Sequence, residues 1–351
     1  MQEIQPRRQN TMDGGPAAWK SRRKLELPAK HKPSFGARIL EKLGSALLVI
    51  WAVITVTFIA VRAIPGDPLE AVLGGPGSNA SEEAVAQAIR NYGFDLPLWQ
   101  QYVRYLGQIL TGDLGTSYSL RRPVTHIVAE QFPATLELAV FALLLGWVLA
   151  LLNAWVSVAG GRRVWNLASS VEAVTSILPQ FWLAIVLIAI LAVGFGLPVA
   201  VSVPGWKGLI VPAITLAIPA AGYLGQTMRE RMLDTLEQPF VTAARARGIS
   251  RTQLFFRHVL RHAALPAVAI SAWQFGNLIS GAVVVETIFA RQGLGRTLLN
   301  AVLARDVPLV SGALITVAVV YVTMTLLTNL GETMLDPRPR TTARSSAGDA
   351  S

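Results

Sequence analysis

The chain of 351 residues contains no cysteine, which excludes disulfides and thiolate metal sites within it while identifying no compartment. Charge is scarce: 15% of residues are Asp, Glu, Lys or Arg, against 52% that are hydrophobic. No Lys follows a Gly anywhere, so the Gly-x4-Gly-Lys-Ser/Thr loop that cradles ATP phosphates is absent. There is no His-Glu-x-x-His zinc helix and no Ser-His-Asp grouping, and a catalytic subunit is not expected. Paired ionisable residues deep in apolar stretches, as in many secondary transporters, are also lacking, because Glu137 and Glu172 stand near the ends of such stretches.

What the chain has is long apolar blocks, with a mean hydropathy of +0.46. They run Gly44–Val61, Thr135–Ala159, Ala173–Gly196, Leu209–Met228, Ala263–Val285 and Leu309–Leu330. Each is near the ~20 residues a helix needs to cross hydrocarbon. The expectation is an all-α polytopic membrane protein with six transmembrane helices. Placing the N-terminus inside puts 22 of the 31 Lys and Arg on the inner face, which orients both termini to the cytoplasm. The net charge of +10 is then a topology signal. It is spread over membrane-flanking segments rather than gathered on a soluble face for nucleic acid.

This pattern divides the chain into a disordered basic tail over 1–36, a first span over 37–64, an extracytoplasmic segment over 65–133, a core of five spans over 134–333, and a cytoplasmic tail over 334–351. The long charged leader argues against a cleaved signal peptide. In the extracytoplasmic segment, Asp67 between Gly66 and Pro68 reads as a turn former. Ser81 before Glu82 and Glu83 predicts a helix to Tyr92. A second helix is predicted over Leu98–Leu110, where apolar residues recur at three- and four-residue spacing.

The core contains a basic stretch, Phe240–Pro266, reading FVTAARARGISRTQLFFRHVLRHAALP. Gly248 interrupts a helical pattern as a left-handed terminus does, and Ser250 with Gln253 has capping-box spacing. The product is a predicted helix-turn-helix. Val241, Ala243 and Ala244 give its first helix a face of small side chains, and Leu254, Phe255, Phe256 and Val259 give its second helix apolar anchors for a partner. The residues alone leave two readings open, docking of an acidic soluble partner or an amphipathic helix on anionic lipid; the capped break favours docking. His258 and His262 share a helix face, but no third metal ligand accompanies them.

At these residues the chain resembles the permeases of type I ABC importers. TAARARG resembles their EAA loop, with Thr242 in the usual Glu place and Ala243, Ala244 and Gly248 matching. The delayed Leu265-Pro266 is similar to the dipeptide, oligopeptide and nickel branch. So are PGDP at Pro65–Pro68, FDLPLWQQYVRYL from Phe94, GDLGTSY at Gly112–Tyr118, ETIF and GLGR between Glu286 and Arg296, RDVPLV from Arg305, and LDPR at Leu335–Arg338. The resemblance covers roughly Arg38 to Arg340, with Gln292 where Pro is more usual.

The resemblance implies a B-type permease subunit of a peptide importer in the prokaryotic cytoplasmic membrane; nickel or another small ligand is the alternative substrate. Implied partners are a second permease subunit, two cytoplasmic nucleotide-binding subunits that hold ATP and Mg, and an external substrate-binding protein. No cofactor is implied in this chain. Coupling to the ATPases falls on the loop 238–262, with Thr242, Ala243, Ala244, Arg245, Gly248, Ser250, Arg257 and His258. In the fifth span Ser271, Gln274, Asn277 and Gly281 form a polar and small stripe that either lines a water-filled path or packs against neighbouring helices. The loop from Glu286 to Pro308 resembles the segment that meets the binding protein. There Gly293 and Gly295 are expected to make a tight turn, and Arg291 and Arg296 to meet acidic groups.

Overall fold

The computed structural model describes residues 35–63, 72–73, 81–93, 95–198 and 205–335. The basic tail before residue 35, the PGDP turn with Asp67, and the tail from residue 336 lie outside the described residues. Everything regular among the described residues is helical. The elements are α1 (Phe35–Ala63), α2 (Glu82–Tyr92), α3 (Leu98–Leu110), α4 (Val124–Gly160), α5 (Arg162–Ile177), α6 (Gln180–Ile188), α7 (Lys207–Leu236), α8 (Pro239–Ala246), α9 (Arg251–Leu254), α10 (Leu260–Ile288), α11 (Leu294–Leu303) and α12 (Val307–Leu335). π-helical segments Ala189–Gly194 and Phe255–Val259 extend α6 and join α9 to α10.

Among the described residues four helical stretches are long and apolar enough to cross a membrane: Val124–Ile177, Lys207–Leu236, Arg251–Ile288 and Val307–Thr328. Gly44–Ala60, Gln180–Gly194 and Leu294–Leu303 are shorter apolar helices. Two expectations need correction. Ala173–Gly196 is not one helix, because Leu178 adopts an extended conformation before Pro179, and α5 ends there. The segment Glu286–Pro308 is not all loop; it contains α11. The predicted Leu98–Leu110 helix has those bounds, whereas the one predicted from Ser81 begins at Glu82, with the Ser81 carbonyl accepting from the Val85 N–H at 3.0 Å.

Side-chain size, more than polarity, selects the buried face of α4. From Ala139 onward its inward residues are Ala139, Ala142, Gly146, Ala150, Ala154 and Ser157, while Leu144, Val148, Leu152 and Val156 stand exposed. Small inward residues let backbones approach, which is how helices associate where lipid is as apolar as leucine. A Cβ on Gly146 would lie 3.3 Å from the Cβ of Ala220 on α7. Helices α4, α5 and α10 all pack on α7, making it the hub of the bundle. Leu138, Leu216, Phe275 and Leu278 fill one core, and Leu224, Met228, Met232 and Phe255 a second beside α8 and α9.

Candidate functional site

The basic stretch folds as α8, a turn and α9. Gly248 sits at φ +79, the left-handed region that a side chain rarely adopts. Its N–H donates to the Arg245 carbonyl at 2.9 Å, and the Ile249 N–H donates to the Ala244 carbonyl at 3.3 Å. This pair of bonds is a Schellman terminus, with Ala244 and Ile249 in one apolar cluster. The Ser250 side chain then caps α9 by accepting from the Gln253 N–H at 3.3 Å. Sequence spacing had located both devices.

The faces are distributed differently from the expectation. Val241, Ala244, Leu254, Phe255 and Val259 are buried within this chain, so they seat α8 and α9 on α4 and α7 instead of reaching outward. The reason is that α9 continues into α10, which obliges its apolar side to join the core. What remains exposed is Thr242, Ala243, Arg245, Gly248, Ser250 and Arg257, with His258 half-buried. Phe240 and Phe256 beside them are large apolar residues that are also exposed, the Phe240 ring lying 6.3 Å and 5.9 Å from those of His258 and His262. Among the described residues no group of three His, Cys, Asp or Glu is placed to hold a metal.

On α10 the polar stripe splits. Ser271 accepts from Trp147 Nε1 at 3.0 Å and donates to the Ala267 carbonyl, Gln274 is buried, and Gly281 packs against the Gln180 side chain of α6. Only Asn277 is exposed, on a face it shares with Trp273, Ser280, Val284 and Thr287 at four- and three-residue intervals. Tyr223 of α7 stacks on Trp273 with ring centroids 4.8 Å apart, which carries this exposed face across to α7.

Near the end of α10 two acids form centres that sequence reasoning missed. Glu286 is fully buried; Thr135 Oγ1 donates to its Oε1 at 2.5 Å and the Arg296 N–H to its Oε2 at 3.0 Å. The glycines of GLGR therefore do not make a left-handed turn. Neither has a positive φ in the turn region; a side chain on Gly293 would run into the Glu286 carboxylate, and one on Gly295 into the Val283 backbone first and Glu286 next. Arg291 donates to Glu137 at 3.0 Å, and Arg296 Nη1 donates to the Ala290 carbonyl at 2.8 Å. Asp306, also fully buried, accepts from Ser117 Oγ at 2.5 Å, from the Ser119 N–H and hydroxyl, and from the Leu309 N–H that opens α12. The GDLGTSY and RDVPLV runs thus meet in space, as do ETIF and GLGR. The signal was present as paired motifs, but nothing in one sequence pairs them.

A Cβ at Gly295 would lie 2.7 Å from Val283 Cα and 2.8 Å from its nitrogen, backbone that cannot yield. Gly295→Ala is expected to cost about 1–3 kcal/mol of stability. Gly107→Ala on α3, with nothing within 4 Å of the new methyl, is expected to stabilise by roughly 0.5–1 kcal/mol. Thermal unfolding of the two variants in detergent checks the contrast, and equal shifts would contradict it.

Comparison with known proteins follows this geometry. Residues 142–341 match the family described as binding-protein-dependent transport system inner membrane component, and residues 37–139 match its N-terminal companion. A putative peptide transport system permease protein of Brucella suis biovar 1 (strain 1330) is 34% identical over 319 residues, covering 86% of this chain and 98% of its own. The dipeptide transport system permease protein DppB of Escherichia coli (strain K12) is 31% identical over 334 residues, with the same coverage of 86% and 98%. The di/tripeptide transport system permease protein DppB of Pseudomonas aeruginosa (strain UCBPP-PA14) is 30% identical over 331 residues, again 86% and 98%.

Proposed function

The chain belongs to the binding-protein-dependent transport system inner membrane components, and on that premise we propose that it is the membrane-spanning permease subunit of an ATP-driven peptide importer. The carrying observation is the similarity to peptide permeases over 86% of this chain and 98% of theirs. Di- or oligopeptides are the proposed substrates; nickel or another small ligand of the branch is the second reading. The chain is a multi-pass inner-membrane subunit that does no chemistry of its own.

The finer architecture we propose has six spans and cytoplasmic termini. The extracytoplasmic excursion occupies 65–133, and the core 134–333 contributes half of the pathway, paired with a second permease subunit. ATP and Mg belong to two partner ATPases that meet the exposed surface of α8 and of the π-helical segment after α9, at Thr242, Ala243, Arg245 and Arg257. An external binding protein meets the corner at Arg291–Arg305, where exposed Gln292 and Arg305 make the contact and buried Gly293 and Gly295 shape it. Deleting the ATPase subunits is expected to abolish peptide uptake in cells carrying the transporter. Uptake that persists in the deletion strain would reject an ATP-driven permease and favour a secondary transporter.

The proposed pathway surface is the exposed face of α10 around Asn277, continued by Trp273 and Tyr223. Asn277→Leu is expected to lower uptake about threefold to tenfold, equivalent to one hydrogen bond of roughly 0.5–1.5 kcal/mol, at matched expression. Unchanged uptake by this variant would remove Asn277 from the pathway.

A further inference from the structure

Beside the second core lies a cavity of about 410 Å³, formed where the end of α4, the start of α5, the end of α7 and the α8–α9 turn meet. Arg162 of α5, Arg245 of α8 and Arg251 of α9 all line it, with Gly161, Trp165 and Leu254. No carboxylate lines it, and none of the three arginines takes part in an ion pair among the described residues. Arg251 is oriented by donating from Nη1 to the Ala159 carbonyl at 3.3 Å, which leaves the rest of its guanidinium free to bind.

The backbone adds to this charge. Gly161 lies at φ +80 and offers α5 no side-chain cap, so the first turn of a 16-residue helix opens beside the arginines with its N–H groups uncapped. Helix N-termini favour anions through those donors and the aligned peptide dipoles. Three guanidiniums drawn from three elements line one cavity that holds no carboxylate, and each presents a planar fork of donors.

We propose that this cavity is a binding site for a phosphate-bearing anion. A carboxylate holds its two oxygens in one plane with a single charge, whereas a phosphate monoester spreads three terminal oxygens tetrahedrally with nearly two charges and so suits guanidiniums converging from three elements. The volume falls within the range of small-ligand pockets and exceeds what inorganic phosphate alone would fill. The organic portion of the ester rests against Trp165 and Leu254, the aromatic and apolar parts of the wall. The phosphate monoester can be soluble or can be the headgroup of phosphatidic acid.

The test uses the full-length chain assembled with its ATPase subunits, titrated calorimetrically without ATP. Phenyl phosphate is the probe, and benzoate, with the same ring on a carboxylate, is the control. Phenyl phosphate is expected to bind at least tenfold more tightly than benzoate. Arg162→Gln and Arg251→Gln, both at exposed positions, are each expected to weaken it tenfold or more with thermal stability unchanged, and Arg162→Lys to recover part of the loss. A weaker apparent affinity in nanodiscs containing phosphatidic acid than in nanodiscs with the same content of phosphatidylglycerol identifies a competing headgroup, and equal affinity identifies a soluble ester; either supports the site. Equal binding of the two probes, or affinity indifferent to the arginine substitutions, would overturn it. So would binding to the free permease that disappears on assembly, because the cavity would then be a socket for an ATPase side chain.

Discussion

Arg229→Met is expected to destabilise the folded chain by about 3–5 kcal/mol, the usual cost of removing one partner from a buried ion pair. Arg229 of α7 donates through Nε to Glu172 of α5 at 2.6 Å, and Glu172 is 2% exposed. Once the guanidinium is gone, the carboxylate keeps the Asn153 amide, which donates to it at 2.7 Å from α4, but has no countercharge. Water cannot easily replace it. Gly225 is so close to Glu172 that a Cβ there would lie 3.1 Å from its Cγ and its Oε1. The two partners are not equivalent, because the Arg229 side chain is 21% exposed against 3% for that of Glu172. Glu172→Gln should therefore cost less, since it strands a cation that can still reach water and leaves a neutral amide in place of the carboxylate. The double variant Arg229→Met/Glu172→Gln should be more stable than Arg229→Met alone, giving a coupling energy that a double-mutant cycle measures. Arg231→Met, in an exposed pair with Asp234 at 3.5 Å, is the control and should change stability by less than about 1 kcal/mol. Thermal unfolding in nanodiscs reads all four variants. A deficit for Arg229→Met no larger than that for Arg231→Met would show that the pair does not tie α5 to α7.

The location of this pair explains how far the sequence could be read. Glu172 stands just before the apolar block Ala173–Gly196 and Arg229 just after the block Leu209–Met228, so each is legible as a charge at a span end. Their contact joins residues 57 apart, and no local period encodes that distance. Local devices were legible for the opposite reason. The Gly248 terminus, the Ser250 cap and the Leu98–Leu110 helix each depend on residues within one or two turns. Facing was the weakest inference wherever helices are apolar on all sides. On α10, three- and four-residue spacing puts Ser271, Gln274 and Asn277 on one stripe, yet a turn of a few tens of degrees decides which is exposed. Packing against α4 and α6 made that decision, through Trp147 on Ser271 and Gln180 on Gly281. Leu254, Phe255 and Val259 were assigned to a partner because a basic loop appeared to need anchors; continuity of the helix from Arg251 to Ile288 turned them into the core instead. The motifs of the outer corner were legible as family marks and illegible as structure, since Asp306 explains Ser117 only across 189 residues.

Gly248→Pro is expected to reduce ATP-driven uptake more than tenfold while the chain still inserts and folds. Proline fixes φ near −65°, whereas this residue stands at +79, and proline has no N–H to give the Arg245 carbonyl. Keeping α8 in place would cost roughly 3 kcal/mol or more, so the turn rearranges. The damage stays local because a Cβ at Gly248 meets nothing within 4 Å and the apolar residues of α8 and α9 are held separately by α4 and α7. A graded series separates backbone strain from crowding. Alanine pays the left-handed penalty of about 1–2 kcal/mol and asparagine less, because its short polar side chain tolerates that region. Uptake is therefore expected to fall in the order Gly, Asn, Ala, Pro, although the side-chain volumes do not follow that order. ATP hydrolysis by the assembled complex should become less responsive to loaded binding protein along the same series, since the turn sets the angle at which α8 leaves α9. Normal assembly and normal uptake by Gly248→Pro would show that force does not pass through this turn. The ATPase contact would then have to be sought on another part of the inner face, with Gly248 reduced to a helix terminus.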